Sequence, residues 1–420
     1  MRVLLVNTSE RIGGAAIATS RLMEALKNNG IKAKMLVRDK QTDQITVVTL
    51  DKSWINLWRF IWERIIIWKA NRFKRNNLFA VDIANTGIDI TSLPEFKQAD
   101  VIHLNWINQG MLSLQKIKKI IDTGKPIVWT MHDMWCFTGI CHYSDECMGY
   151  LNACGKCPFI YKNNSDNDLS HKIFLKKEKL LYSAHISFVT CSHWLEKKAK
   201  ESKLLQRFPI TCIPNTINTN LFRPTSKNEA REICNLPLDK KLLLFGSLKI
   251  SDERKGFKYL VEACHLLHDN YSDMNNLGVV VFGKQTEEIS SLLPFPIYSM
   301  DYISAERQLA NIYNAVDLYV TPSLQDNLPN TIIEAMACGI PCVGFDVGGI
   351  PEMIDHLKNG YIAKYKSAAD LAKGIYWTLS EGNYNELSKQ ACKKTINCYS
   401  ESSVAMKYIE LYNKVTKKNA

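Results

Sequence analysis

The chain has 420 residues, long for one hydrophobic core and suited to two domains of roughly 150–200 residues each. A composition of 46% hydrophobic, 23% charged and 10% aromatic residues excludes a disordered or fibrous chain. With 53 Lys and Arg against 42 Asp and Glu, the net charge of +11 suits an anionic partner: a phosphorylated small molecule, an acidic membrane surface or nucleic acid.

The opening MRVLLVNTSERIGG is too short in its apolar run for a signal peptide and reads as a first strand, Arg2–Asn7, followed by a glycine loop at Gly13-Gly14. An amphipathic helix is expected over 16–28, closed by Gly30. Further strands are predicted at 34–38, 101–104, 126–131, 186–190 and 211–213, each near a helical stretch, so the first half reads as a parallel sheet wrapped by helices. The pattern restarts with strands at 242–246, 278–283, 296–298, 318–321 and 341–345. Proline- and asparagine-rich IPNTINTNLFRPTSKNEA marks the switch. We place the domains at 1–218 and 219–400, with a helix at 401–420 packing back on the first. Two doubly wound sheets would put their carboxyl-end loops around a shared cleft. No apolar run reaches the length of a membrane span.

Two segments stand apart from this pattern. In 52–75, Trp54, Trp58 and Trp62 recur every four residues among Ile55, Ile61, Ile65 and Trp68, with Lys52, Arg59, Arg64, Lys69, Arg72, Lys74 and Arg75 interspersed. That suits a helix lying in an anionic bilayer interface, or a helix buried against its domain with the cations in water; the sequence leaves both open. The insert at 136–158 holds Cys141, Cys147, Cys154 and Cys157, with Cys136 and His142 as alternative ligands. The C-G-K-C pair is a common knuckle for tetrahedral Zn²⁺, so a structural zinc loop is the favoured reading over free thiols or a redox or iron–sulfur role. Thirteen cysteines, an odd number without an export signal, fit a reducing cytosol.

The richest segment is VTPSLQDNLPNTIIEAMACGIPCVGFDVGGIPEMI. A strand ends at Thr321, Pro329 is expected in the first turn of a helix through 331–338, and backbone amides around Asn327–Thr331 (Asn327, Leu328, Asn330, Thr331) would suit a phosphate. Asp326 and Glu334 flank that start and could each accept from vicinal hydroxyls. His132, in VWTMHD, stands just past a strand tip.

Glu334-Ala335-Met336-Ala337-Cys338-Gly339, preceded by Asp326, resembles the donor-site motif of the retaining family-4 glycosyltransferases of bacterial capsular and exopolysaccharide synthesis. The resemblance implies the GT-B fold, an α/β pair of Rossmann-like domains with parallel sheets facing across an interdomain cleft. It implies Glu334 on the donor ribose, and Asp326, one methylene shorter than the usual Glu, on the sugar. Ile213-Pro214-Asn215 through Phe222-Arg223-Pro224 is similar to the family's interdomain segment. Gly246 through Gly256 is similar to its phosphate loop, with Lys255 in register, Ser247 where an Arg is usual, and Arg254 or Lys249 supplying the missing charge. Gly13-Gly14 corresponds to its glycine loop, and His132 to a residue near the reacting carbon.

The resemblance implies transfer of a sugar from a UDP- or GDP-sugar to a glycan or polyprenyl-diphosphate-linked acceptor. By the same resemblance the anomeric configuration is kept; with cations and a helix terminus to meet the diphosphate no catalytic metal is expected, no nucleic acid is expected as partner, and the expected site of action is the cytoplasm or the inner face of the plasma membrane. A nucleotide-sugar epimerase of the same fold and a non-catalytic sugar-nucleotide-binding membrane-associated protein are the alternatives.

Overall fold

The computed structural model describes residues 1–49, 53–160, 165–249, 252–284, 291–300, 303 and 305–417. The chain divides into two compact units, Met1–Pro214 with Val404–Ala420, and Asn215–Ser403.

The first unit is built on seven parallel strands: β1 (Arg2–Ser9), β2 (Lys32–Asp39), β3 (Val47–Thr49), β4 (Val101–Leu104), β5 (Ile127–Met131), β6 (Ile186–Thr190) and β7 (Ile210–Cys212). Their spatial order is β3-β2-β1-β4-β5-β6-β7. The alternation of a strand sends Leu4 and Val6 into one apolar cluster, with Ile102, Leu104, Trp129 and Phe188, and Val3 and Leu5 into another. Both faces of the sheet are therefore covered, as a parallel sheet requires. The second cluster is closed by Leu22 and Leu26 of helix α1 (Gly14–Asn28) and by Val404, Tyr408 and Tyr412 of the helix at 401–417.

That last helix also satisfies a buried polar row. His103 on β4 lies 2.7 Å from the Tyr412 hydroxyl through Nδ1 and 2.7 Å from Thr130 Oγ1 through Nε2, and Thr130 Oγ1 lies 2.9 Å from the Tyr408 hydroxyl. Burial drives the imidazole pKa down to about 3, so the ring stays neutral.

The second unit carries six parallel strands: β8 (Lys241–Lys249), β9 (Leu277–Lys284), β10 (Ile297–Met300), β11 (Leu318–Thr321), β12 (Cys342–Phe345) and β13 (Gly360–Ala363). They run in the order β10-β9-β8-β11-β12-β13, around a core of Leu243, Phe245, Val279, Val281, Val320 and Val343. β3 and β13 escape the sequence reading. β3 is three residues long, and β13 opens on Gly360, where a Cβ would fall 2.0 Å from the Cys342 carbonyl oxygen. Glycine is there for close strand approach, although in sequence it reads as a turn.

α2 (Ser53–Ala70) is inverted. Asn56, Glu63, Arg64 and Ile67 are buried, while Trp54, Leu57, Trp58, Trp62 and Ile65 are exposed. The inward face is held by polar bonds. Glu63 Oε1 accepts from the Ile83 and Ala84 amides at 3.1 and 2.7 Å, and Arg64 pairs with both Glu63 and Asp82 at 3.2 Å. Burial and the nearby Asp82 raise the Glu63 carboxyl against the pull of Arg64. Lys52 lies outside the described residues.

Candidate functional site

In the second unit the carboxyl ends of β8 and β11 lead into two loops that clasp each other. The loop after β8 ends in a turn over Glu253–Lys255, capped by the Asp252 side chain, and Gly256 at φ 70° opens helix α3 (Phe257–Asn270). A Cβ on Gly256 would fall 1.9 Å from the Pro322 carbonyl oxygen, so only glycine lets the two loops pack. Leu324 N–H donates to the Arg254 carbonyl at 2.7 Å, and the Arg254 guanidinium returns a bond to the Gln325 carbonyl at 2.8 Å. On the other side Gly348, at φ 62°, presses on the Asp326 carbonyl oxygen, where a Cβ would fall 1.8 Å away.

This clasp holds Asp326 against cations. Lys255 Nζ lies 2.6 Å from Asp326 Oδ2, and Arg254 Nη1 lies 3.8 Å from the same oxygen. Burial pushes the Asp326 carboxyl up, but Lys255 and Arg254 outweigh it and hold the group below the usual carboxylate range. The site thus gathers two cations and one ionised carboxylate. Lys255 is about one-quarter exposed and Asp326 about one-tenth, so a diphosphate could compete for the lysine.

Helix α4 (Asn330–Ala337) starts one residue later than the sequence implied for proline: Pro329 is its cap, in extended backbone, and not part of its first turn. Proline's fixed φ suits the cap as well as the first turn, and its missing N–H is one the helix start does not need. Of the amides expected to meet a phosphate, Asn327 N–H is engaged. Asn327 N–H donates to the Asp326 carboxylate, and Ile332 N–H to the Pro329 carbonyl at 3.1 Å. Asn215 Nδ2 binds Asn330 Oδ1 at 2.9 Å and the Leu328 carbonyl at 3.4 Å. Thr331 hydrogen-bonds the Tyr319 phenol. Glu334, only 3% exposed, accepts from the Tyr313 hydroxyl at 2.8 Å. Burial and Glu334 push the Tyr313 phenol well up, so it remains a donor.

Tyr313 and Tyr319 are the residues that sequence reasoning passes over. Both are fully buried and read as core aromatics; only their hydroxyls, aimed at Glu334 and Thr331, set them apart. Ser247, where the family usually has Arg, is buried at the end of β8, and a Cβ on Gly283 would fall 1.9 Å from its carbonyl oxygen. The Lys249 side chain lies outside the described residues.

In the first unit the loop after β1 is fixed by buried Glu10, which accepts from the Gln41 and Thr42 amides at 2.6 and 2.9 Å. Gly13, at φ 94°, caps α1 with open space where its side chain would be, and Gly14 begins the helix. At the tip of β5, His132 Nε2 lies 3.1 Å from Asn105 Oδ1 and Nδ1 lies 3.8 Å from Cys191 Sγ. Burial, weakly opposed by Asp133, lowers the His132 pKa to about 4, leaving a neutral ring for hydrogen bonding. Asp133 is clamped by Trp106 Nε1 at 2.8 Å, Trp135 N–H at 2.9 Å and His142 Nδ1 at 2.7 Å. His142 is therefore committed to Asp133. Cys141, Cys147, Cys154 and Cys157 line one small cavity, and Cys136 is buried outside its lining. Among the described residues no cysteine forms a disulfide, and no helix is long and apolar enough to cross a membrane.

Residues 12–221 match the family described as Glycosyltransferase Family 4, and residues 239–381 match Glycosyl transferases group 1. An N,N'-diacetylbacillosaminyl-diphospho-undecaprenol alpha-1,3-N-acetylgalactosaminyltransferase of Campylobacter jejuni is 28% identical over 213 residues, 49% of this chain and 55% of its own. The putative colanic acid biosynthesis glycosyl transferase WcaC of Escherichia coli is 22% identical over 342 residues, 77% of each chain. The chain spans about half the length of the first curated relatives it matches, 52% and 55%. Among solved structures, sucrose-phosphate synthase of Thermosynechococcus elongatus superposes with a TM-score of 0.70 at 18% identity, covering 99% of both chains. Anabaena HepE in complex with UDP-glucose gives 0.63 at 14% identity, covering 99% of this chain and 100% of its own. At such identities the likeness shows the fold alone, GT-B.

Proposed function

The chain belongs to glycosyltransferase family 4, and from that premise we propose that it is a retaining transferase acting on a nucleotide-diphosphate sugar and a polyprenyl-diphosphate-linked glycan. The observation that carries this reading is the 2.6 Å pair of Lys255, beside Arg254 on the turn after β8, with Asp326 on the loop that leads into the helix bearing Glu334. An incoming diphosphate takes over Lys255 and Arg254 and frees the Asp326 carboxylate to accept from hydroxyls of the donor sugar. Glu334, oriented by Tyr313, accepts from the ribose hydroxyls.

The bond from the anomeric carbon to the diphosphate oxygen breaks as the acceptor oxygen bonds that carbon from the same face. The acceptor's proton passes to the departing phosphate oxygen. The cations are preorganised where negative charge grows, which is the largest electrostatic contribution such a site can make. Within the first unit, the neutral ring of His132 can offer a hydrogen bond but no fixed cation.

The outward apolar face of α2, flanked by exposed Lys69, Arg72, Lys74 and Arg75, supports an acceptor held at an anionic lipid surface, the cytoplasmic face of the plasma membrane. The Campylobacter relative's name specifies an undecaprenol diphosphate acceptor, and HepE binds UDP-glucose.

The test is a screen of UDP- and GDP-sugars by binding, hydrolysis and transfer to a polyprenyl-linked acceptor. Transfer or slow donor hydrolysis is expected. Interconversion of the free donor supports an epimerase instead, binding without turnover supports a sensor, and the absence of binding to every nucleotide sugar removes the proposal.

A further inference from the structure

We propose that Cys141, Cys147, Cys154 and Cys157 bind one Zn²⁺ as a structural tetrathiolate centre within the first unit. The four residues come from a 17-residue stretch, yet all line the same cavity, which has room for about one water-sized sphere. The Cys141 sulfur is close enough to the other three for each to act on it electrostatically.

Backbone amides point at three of the four sulfurs. Gly139 N–H donates to Cys154 Sγ at 3.3 Å, Gly149 N–H to Cys147 Sγ at 3.5 Å, and Phe159 N–H to the Cys157 sulfur. Amide donors to ligand sulfur are the usual outer partners of a metal thiolate, and they are weak bonds when the sulfur is a neutral thiol. Reaching this geometry strains the knuckle. Cys154, Gly155 and Lys156 stand in succession at φ 51°, 126° and 47°, and a Cβ on Gly155 would fall 2.7 Å from the Asp166 carbonyl oxygen. A non-glycine residue in this region costs about 1–2 kcal/mol and persists where its surroundings fix it.

Charge also fits. Four thiolates around Zn²⁺ leave a double negative charge, and buried Lys177 lies against the cluster. Its ammonium donates to the Trp135 and Thr138 carbonyls at 2.6 and 3.1 Å and acts on Cys141 and Cys154. His193, Glu196 and Cys212 form the trio of described ligand atoms within 4.8 Å of one another, but His193 is exposed and bonded to Glu196. The cysteine sulfurs are set more widely than that. Tetrahedral coordination at about 2.3 Å draws them to within about 3.8 Å of each other.

The centre would tie the insert to the tip of β5. Cys141 bridges Val81, and its neighbour His142 bonds Asp133, the residue after His132.

The test is metal analysis of the full chain purified under reducing conditions. About one zinc per chain is expected, with Co²⁺ exchange giving thiolate charge-transfer and tetrahedral d–d bands. Cys147→Ser and Cys157→Ser should each retain zinc at least about tenfold more weakly, whereas Cys234→Ser should retain it fully. Thiol alkylation of the unmutated chain keeps the measurement clear of misfolded variants: the four cysteines should react only after chelation. A chain that holds no zinc after purification and after incubation with equimolar Zn²⁺, or one that carries a Cys154–Cys157 disulfide, overturns the proposal.

Discussion

Replacing Trp58 with Ser separates a bilayer-facing helix from a core helix in a single variant. Trp58 is 63% exposed, between Trp54 at 67% and Trp62 at 55%. A fully exposed Trp presents about 250 Å², so Trp58 offers about 150 Å² for burial. At about 25 cal/mol per Å², withdrawing half of that area into the interface is worth about 2 kcal/mol, or about a 30-fold change in partitioning. Trp58→Ser should therefore weaken cosedimentation with anionic vesicles about 30-fold. Added salt should weaken it further by screening Lys69, Arg72, Lys74 and Arg75. Because the side chain is already in water, unfolding free energy should move by no more than about 0.5 kcal/mol. Unaltered vesicle binding, or a stability loss of several times that amount, refutes the reasoning.

Lys255→Ala removes the cation 2.6 Å from Asp326 and should weaken UDP- or GDP-sugar binding by about 10- to 100-fold in calorimetry; unchanged affinity excludes Lys255 from the diphosphate site. Glu334→Gln keeps the shape but loses the anionic acceptor, so it should weaken the whole nucleotide sugar and the free nucleoside diphosphate alike; a loss confined to the sugar moves Glu334 off the ribose. His103 and His132 titrate near 3 and 4 in the folded chain because burial disfavours the cation. Unfolded histidines near pH 6.5 bind more protons between about pH 4 and 6.5, so stability rises with pH across that window. Tm at pH 5 should lie below Tm at pH 7, and an equal or higher value contradicts the buried neutral rings. Tyr412→Phe deletes the bond to His103 Nδ1 and should cost about 1–2 kcal/mol in denaturant unfolding; no cost means the pair is not held in solution.

Most of the sheet was legible because buried parallel strands announce themselves as short β-branched runs, as at Val101–Leu104 and Leu318–Thr321. Lys255 and Asp326 were legible as members of a motif, but their pairing across 71 residues depends on Gly256 and Gly348 packing onto the intervening loop. The four-residue recurrence of Trp54, Trp58 and Trp62 marked a helix without saying which side faces inward, since an apolar stripe suits a core and a lipid surface equally. The orientation of α2 is fixed by Glu63 meeting amides 20 and 21 residues away and Arg64 meeting Asp82, partners that no local pattern reveals.

The helix at 401–417 covers one face of a sheet whose strands all end by residue 212. On the ribosome, some 190 residues separate the two pieces of that unit, a delay of roughly 10–40 s at ordinary elongation rates. Through that interval the nascent first unit must carry an uncovered groove, with His103 and Thr130 open to water. Chaperone capture, and sensitivity to premature termination after the second unit, follow from that order of synthesis.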